Sequence, residues 1–338
     1  MPPIAAPELV NATIEAVARE ARTGLTATPK ALSPWLFYDE SGSNLFEQIT
    51  HLPEYYLTRT ERSIFAAHAD DIIQRASSDQ ALTLIELGAG TATKTGLLLA
   101  AAVRQQGTVV YQPVDVSESA LAAAQENILA NIPGVTVRCQ IADYTTQPLP
   151  LNRLPNTRTL ALYIGSSIGN FAPSDAIDVL ANLRAQLQSG DLLLLGTDLA
   201  PTPEASPNKS VATLLAAYDD PTGITAAFNR NILARLNRDL GTDFVLENFR
   251  HQTRWNSIEL RIEMHLESIT NQRVHLPTDP TGPALTLHFS PNETIHTENS
   301  YKFTPSRIST LLTAADFTPT QTWHDPQHLF AVTLATAI

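Results

Sequence analysis

Five short runs rich in apolar and β-branched residues, at 82–87, 108–115, 135–142, 158–164 and 191–196, constrain this chain more than any other feature. Segments of helical character separate most of them, at 93–105, 117–131 and 173–188. In the last of these, Ala176, Leu180, Leu183 and Leu187 fall at i, i+4, i+7 and i+11, a helical stripe, and Gly190 supplies a stop. Strands buried on both faces read as continuous apolar runs, and strands alternating with helices imply a parallel sheet with helices packed on it. The expected fold class is therefore α/β, a doubly wound sheet.

In such a sheet, ligands bind where strands finish. The first run, Leu84-Ile85-Glu86-Leu87, empties into Gly88-Ala89-Gly90-Thr91, and the second ends in Asp115. A glycine turn lets backbone approach a nucleoside closely, and an acid on the next strand can take ribose hydroxyls. Three readings compete. A P-loop needs Gly-Lys-Ser/Thr, and Lys94-Thr95 follows no glycine. A dinucleotide fingerprint wants Gly-x-Gly-x-x-Gly; Gly88 and Gly90 fit, but the third position is Thr93. The remaining reading is a single-nucleoside site of the Glu-x-Gly-x-Gly kind used by S-adenosylmethionine methyltransferases, in which Glu86 stands where an acid would repel phosphate. The loop alone leaves the last two open, beside an ordinary βα turn.

The rest of the 338-residue chain is long enough for a second domain. Residues 200–210 are rich in Pro, Ser and Thr and read as a crossover, followed by helical stretches near 210–219 and 222–239. A strictly alternating strand is expected next, with Ile258, Leu260, Ile262, Met264 and Leu266 on one face and Glu259, Arg261, Glu263, His265 and Glu267 on the other. Leu285, Leu287 and Phe289 repeat the pattern. A helix at 304–314 and strand-like runs at 317–323 and 328–335 are expected to close the first sheet with an antiparallel edge. The expected division is 63–203 with 301–338 as one domain, and 1–62 with 204–300 as a second, discontinuous one.

A formal charge of −12 disfavours sequence-independent nucleic-acid binding, which depends on neutralising phosphates with Lys and Arg. No apolar stretch approaches a membrane span, and Glu8, Glu15 and Glu20 make the N-terminus unlike a secretory signal. The single cysteine, Cys139, allows no internal disulfide or thiolate cluster, and none of the nine histidines forms a metal pattern. His251, His265, His288 and His296 are expected on polar strand faces. The expectation is a cytoplasmic monomer acting on a small molecule, without nucleic acid, membrane or metal.

Four further segments are unusual for a bare nucleoside-binding core: WLFYDESGSNLFEQITHLPEYYLTRTE at 35–61, YIGSSIGNF at 163–171, AYDDPTGITAAFNRN at 217–231 and ETIHTENSYKF at 293–303. At these residues, and at ELGAGT, the chain resembles the ergothioneine-pathway L-histidine Nα-methyltransferases, colinearly from about residue 22 to the C-terminus. The resemblance implies a class I, Rossmann-like methyltransferase core, an α+β substrate domain, S-adenosyl-L-methionine, and trimethylation of the histidine α-amine to hercynine. The alternatives are an Nα-methyltransferase for another amino acid such as tryptophan, a non-catalytic S-adenosylmethionine-binding protein and, more distantly, a dinucleotide oxidoreductase.

In the role this resemblance implies, Gly88 brings backbone to the methionyl end of the cofactor and Lys94 pairs with its carboxylate. Asp115 accepts the ribose hydroxyls, and Asp143-Tyr144 takes the adenine amine and ring. Each has a plainer reading: a solvated lysine, an acid at a helix N-terminus, a surface turn. For the substrate, Asn170 and Tyr218 donate to the α-carboxylate and the Gly165 carbonyl faces the amine, although Asn170 could instead cap the 173–188 helix. Glu298 and Ser300, at i and i+2 of an extended segment, project to one face and suit an imidazole, with Tyr55 flanking it. A solvated strand face is the alternative. Met264 lines the pocket or is plain core. Tyr38 is placed at the reacting nitrogen as an orienting group and not as an obligate base.

Overall fold

The computed structural model describes residues 6–90, 92–145 and 153–338. Thr91, part of the expected glycine loop, lies outside the described residues. The chain divides into two compact units, one of residues 57–209 and 301–338, the other of residues 1–56 and 210–300.

In the first unit, seven strands are numbered in chain order: β1 (Ala81–Leu87), β2 (Val109–Asp115), β3 (Val135–Val137), β4 (Thr157–Tyr163), β5 (Leu192–Asp198), β6 (Phe317–His324) and β7 (Phe330–Ala337). Their spatial order is β6-β7-β5-β4-β1-β2-β3. The pairs β1–β2, β1–β4, β2–β3 and β4–β5 are parallel, and β7 enters antiparallel between β5 and β6. This is the class I methyltransferase arrangement, an α/β sheet closed by an antiparallel edge. The strand order reverses between β1 and β4, so the crevice at their carboxyl ends is the switch point where such sheets bind ligands. The continuous apolar runs are explained by burial: Leu192 through Leu195 are 2% exposed or less.

Two local expectations for this unit need correction. The 135–142 run is broken, with β3 ending at Val137 and a short strand, Gln140–Ile141, pairing separately with β2. The helix expected over 173–188 ends at Arg184; Leu187 stays buried in the turn beyond it, where Arg184 donates to its carbonyl.

The second unit holds a four-stranded sheet ordered Lys30–Ala31, Thr294–Tyr301, Arg261–Ser268, Phe249–Asn256, and a separate ribbon of Gln272–Leu276 with Leu285–Phe289. The alternating strand begins at Arg261 and not at Ile258. Residues 257–260 form the hairpin turn, where Ile258 is 85% exposed and Leu260 has φ +54. Its partner Phe249–Asn256 was not expected, because beyond Phe249 most of its positions are polar, covered ones included. His251 is one of them, and it is buried instead of lying on an open polar face. Its Nδ1 meets Asn229 Nδ2 at 2.8 Å and its Nε2 meets the Tyr218 carbonyl at 2.8 Å. Asn229, in the helix Ile224–Leu240, also donates to the His265 carbonyl and accepts from Thr297 Oγ1. One buried amide thereby ties helix to sheet, since each of its polar atoms would be costly unpaired.

Candidate active site

At the end of β1 the backbone turns through Gly88 (φ +65) and Gly90 (φ +51), a left-handed region that favours glycine. Asp115, at the end of β2, accepts from Gly90 N at 3.0 Å and from Ser117 N at 2.9 Å. The same carboxylate therefore fixes the loop and the entry to the helix Glu118–Asn131. Nothing fills the space where a Gly90 side chain would lie, whereas Gly88 has the Tyr144 hydroxyl against it. Tyr144 packs edge-on to Tyr163 at 5.7 Å, and burial pushes its phenol up to about 12. Asp143 turns the chain by accepting from Thr145 N and Oγ1.

Glu86 is buried, and its carboxylate accepts from Thr95 Oγ1 at 2.7 and 2.8 Å and from the Tyr111 hydroxyl. Burial raises its pKa to about 7. The acid thus braces the loop from inside. Lys94 precedes the helix Thr95–Gln106, and its half-buried side chain is paired with the fully buried Glu61. Glu61 also accepts from Gly165 N at 2.8 and 3.0 Å. A Cβ on Gly165 (φ +81) would lie 3.3 Å from Lys94 Nζ.

Beyond β4, the turn after Gly165 is anchored by Ser166, whose Oγ accepts from Asp198 N at 2.9 Å. Asn170 ends the 3-10 turn Ser167–Asn170 and does not cap the next helix, Pro173–Arg184, whose N-cap is Ala172. Asp198 itself is buried between Lys209 (2.6 Å) and Lys302 (3.0 Å), both also buried. The two cations hold its carboxyl below the usual range against the opposing effect of burial.

In the unit of residues 1–56 and 210–300, Ser300 Oγ lies 2.8 Å from the Tyr218 hydroxyl, both buried. Glu298, two residues earlier on the strand Thr294–Tyr301, is 9% exposed, which removes the solvated-face alternative. Edge-on aromatic contacts lead away from this pair: Tyr218–Tyr55 at 6.1 Å, Tyr55–Phe46 at 6.3 Å and Phe46–Tyr38 at 5.9 Å. Phe228 packs against both Phe46 and Tyr38. Met264 is 2% exposed, and its carbonyl accepts from Thr297.

Tyr38 closes the 3-10 turn Pro34–Phe37 and is 37% exposed. Its turn is held by residues that sequence reasoning passed over. Asn231 donates to Asp39 Oδ1 at 2.8 Å, Arg235 to the Leu36 carbonyl at 3.0 Å, and Arg238 pairs with Asp39. The TAAFNRN string was the available signal, since Phe228, Asn229 and Asn231 all lie within it. Among the described residues, no group of three or more His, Cys, Asp and Glu could hold a metal ion, and no helix is long and apolar enough to cross a membrane.

The family of histidine-specific, S-adenosylmethionine-dependent methyltransferases matches residues 17–337. Histidine N-alpha-methyltransferase of Mycolicibacterium smegmatis is 42% identical over 322 residues, 95% of each chain. That of Mycobacterium tuberculosis is 41% identical, over 95% of this chain and 94% of its own. Ergothioneine biosynthesis protein 1 of Schizosaccharomyces pombe is 33% identical over 83% of this chain, which spans 36% of that longer protein. The chain belongs to the histidine-specific, S-adenosylmethionine-dependent methyltransferase family, and S-adenosylmethionine is its methyl donor. The turn at Gly88 and Gly90, the Asp115 carboxylate and the Lys94 ammonium fit the polar groups of that cofactor.

Proposed function

We propose that the chain trimethylates the α-amino group of L-histidine to hercynine, a step of ergothioneine biosynthesis, with residues 57–209 and 301–338 binding the methyl donor and residues 1–56 and 210–300 recognising the amino acid. Beside the family match, the observation that carries this reading is the buried Tyr218–Ser300 pair two residues from the buried Glu298. A buried carboxylate and hydroxyl on one strand suit a ligand with two N–H donors, which an imidazolium offers and an indole does not. If Ser300 gives its proton to the Tyr218 oxygen, its lone pairs accept from the ring, and the phenol proton is directed to the substrate carboxylate. Asn170 supplies a second donor, and Tyr55 flanks the ring.

S-adenosylmethionine, when bound, supplies a methyl group on a good leaving group, so the chain need provide little acid–base chemistry. Lys94 pairs with the donor's carboxylate, Asp115 accepts its ribose hydroxyls, Asp143 and Tyr144 take the adenine, and Gly88 allows close backbone approach. Tyr38 orients the amine, and the Gly165 carbonyl faces it. The amine attacks only when neutral; with a pKa of about 8 or somewhat higher, roughly a tenth or less is ready at pH 7. Catalysis is then chiefly alignment.

Glu298→Ala tests the specificity. Histidine turnover should fall about a hundredfold, as expected when a site built to accept a hydrogen bond loses its acceptor. Unchanged turnover would remove Glu298 from the site, and faster turnover on tryptophan would favour the other amino-acid reading. The net charge of −12 supports a small substrate over nucleic acid. We take the working form to be a cytoplasmic monomer, which molar mass in solution, measured by light scattering, and cell fractionation would check.

A further inference from the structure

The TRTE string at 58–61 has no role in the assignments above, yet its glutamate is fully buried at the carboxyl edge of the sheet. Glu61, on the helix Tyr56–Ser77, touches the ends of three strands. Its carboxylate pairs with Lys94 from the loop after β1 and accepts from Gly165 N after β4. It also lies over Gly196 of β5, where a Cβ would come within 2.1 Å of its Oε1. Glycine at 196 is thus what makes room for this acid. A buried carboxylate is costly unless paired and fully hydrogen-bonded, and an apolar residue there would be the simpler way to fill the space. The charge is placed instead where two proposed ligand contacts meet.

We infer that Glu61 is a positioning residue for methyl transfer, its one carboxylate setting both the ammonium that pairs with the donor's carboxylate and the glycine whose carbonyl faces the substrate amine. This rests on the roles proposed for Lys94 and Gly165. Glu61 touches neither reacting group; it acts through them. Lys94 reaches its place over Gly165 because Glu61 holds it there, and the Gly165 N–H held by the same carboxylate fixes the peptide that leads into the φ +81 turn. Alignment of donor and acceptor thereby depends on a side chain contributed from outside both strand-end loops.

A double-mutant cycle on the full chain distinguishes this from a purely structural ion pair. Glu61→Gln keeps the shape and an acceptor for Gly165 N but removes the charge; Lys94→Met removes its partner. We expect each to lower kcat/KM for the methyl donor at least tenfold, and the double variant to fall at least fivefold short of the product of the two losses. Glu61→Gln should also lower kcat at saturating histidine and donor, which a loss of stability alone would not do in protein with native circular dichroism. If Glu61→Gln does not fold, Glu61→Asp carries the test: the charge is kept but withdrawn, and kcat should fall at least fivefold. Losses that multiply, or a kcat within twofold of the parent in whichever variant folds, would overturn the inference. If Lys94→Met is itself within twofold of the parent, both the inference and the Lys94 assignment fail. An impaired Lys94→Met beside a silent Glu61→Gln removes Glu61 alone.

Discussion

Replacing Glu86 with Gln should make the protein more stable than its parent at pH 8 but not at pH 4.5. Glu86 is 2% exposed, and burial, opposed by hydrogen bonds from Tyr111 and Thr95, raises its pKa from 4.5 to about 7. Below 4.5 the acid is protonated in both folded and unfolded chains and contributes no pH dependence. Between 4.5 and 7 the unfolded chain has released the proton while the folded chain retains it, so stability falls as pH rises. Above 7 both are ionised and the loss is complete, about 3 kcal/mol from this group alone. Glutamine can accept from Thr95 and Tyr111 without a charge to desolvate, so the variant escapes that loss. Urea unfolding of parent and variant at a series of pH values gives the difference directly, and using the difference cancels every other titrating group. The gap should widen in the variant's favour by about 2–3 kcal/mol between pH 5 and 8. A gap that stays flat, or widens the other way, would show that Glu86 is ionised in the folded state throughout and that burial does not raise its pKa.

Three other perturbations probe separate parts of the account. Asp198→Asn leaves Lys209 and Lys302 buried without their counter-charge and should destabilise by about 3–5 kcal/mol in the same assay; a change below about 1 kcal/mol would contradict the buried triad. Gly42→Ala places a Cβ 1.7 Å from the Phe37 carbonyl and 2.9 Å from Asn231 Nδ2, displacing the turn that carries Tyr38. Histidine turnover should fall about a hundredfold, as a displacement of about 1 Å can cause, while donor affinity measured by calorimetry stays unchanged. Tyr38→Phe should cost about tenfold in kcat; a loss beyond about a hundredfold would instead make Tyr38 a general base.

The parallel core was legible because its strands are buried on both faces, as the apolar runs Leu160–Tyr163 of β4 and Leu192–Leu195 of β5 show. The strand Phe249–Asn256 was not, because His251 is buried yet polar and is satisfied by Asn229 and the Tyr218 carbonyl, partners 22 and 33 residues away. The false start at Ile258 came from Ile258 and Leu260 continuing the alternation through a turn. Glu61 shows the same limit at the site. Its partners Lys94 and Gly165 lie 33 and 104 residues along the chain, and only the folded sheet brings them together. The glycine loop and Asp115 were readable because they are local to consecutive strand ends.

The most direct measurement is mass spectrometry of L-histidine incubated with the protein and S-adenosylmethionine, with tryptophan as a parallel substrate. The account predicts sequential gains of one, two and three methyl groups on histidine, all on the α-nitrogen by fragmentation, and little gain on tryptophan. Intact donor binding with no methylated histidine, or methyl groups on the imidazole ring, would contradict it.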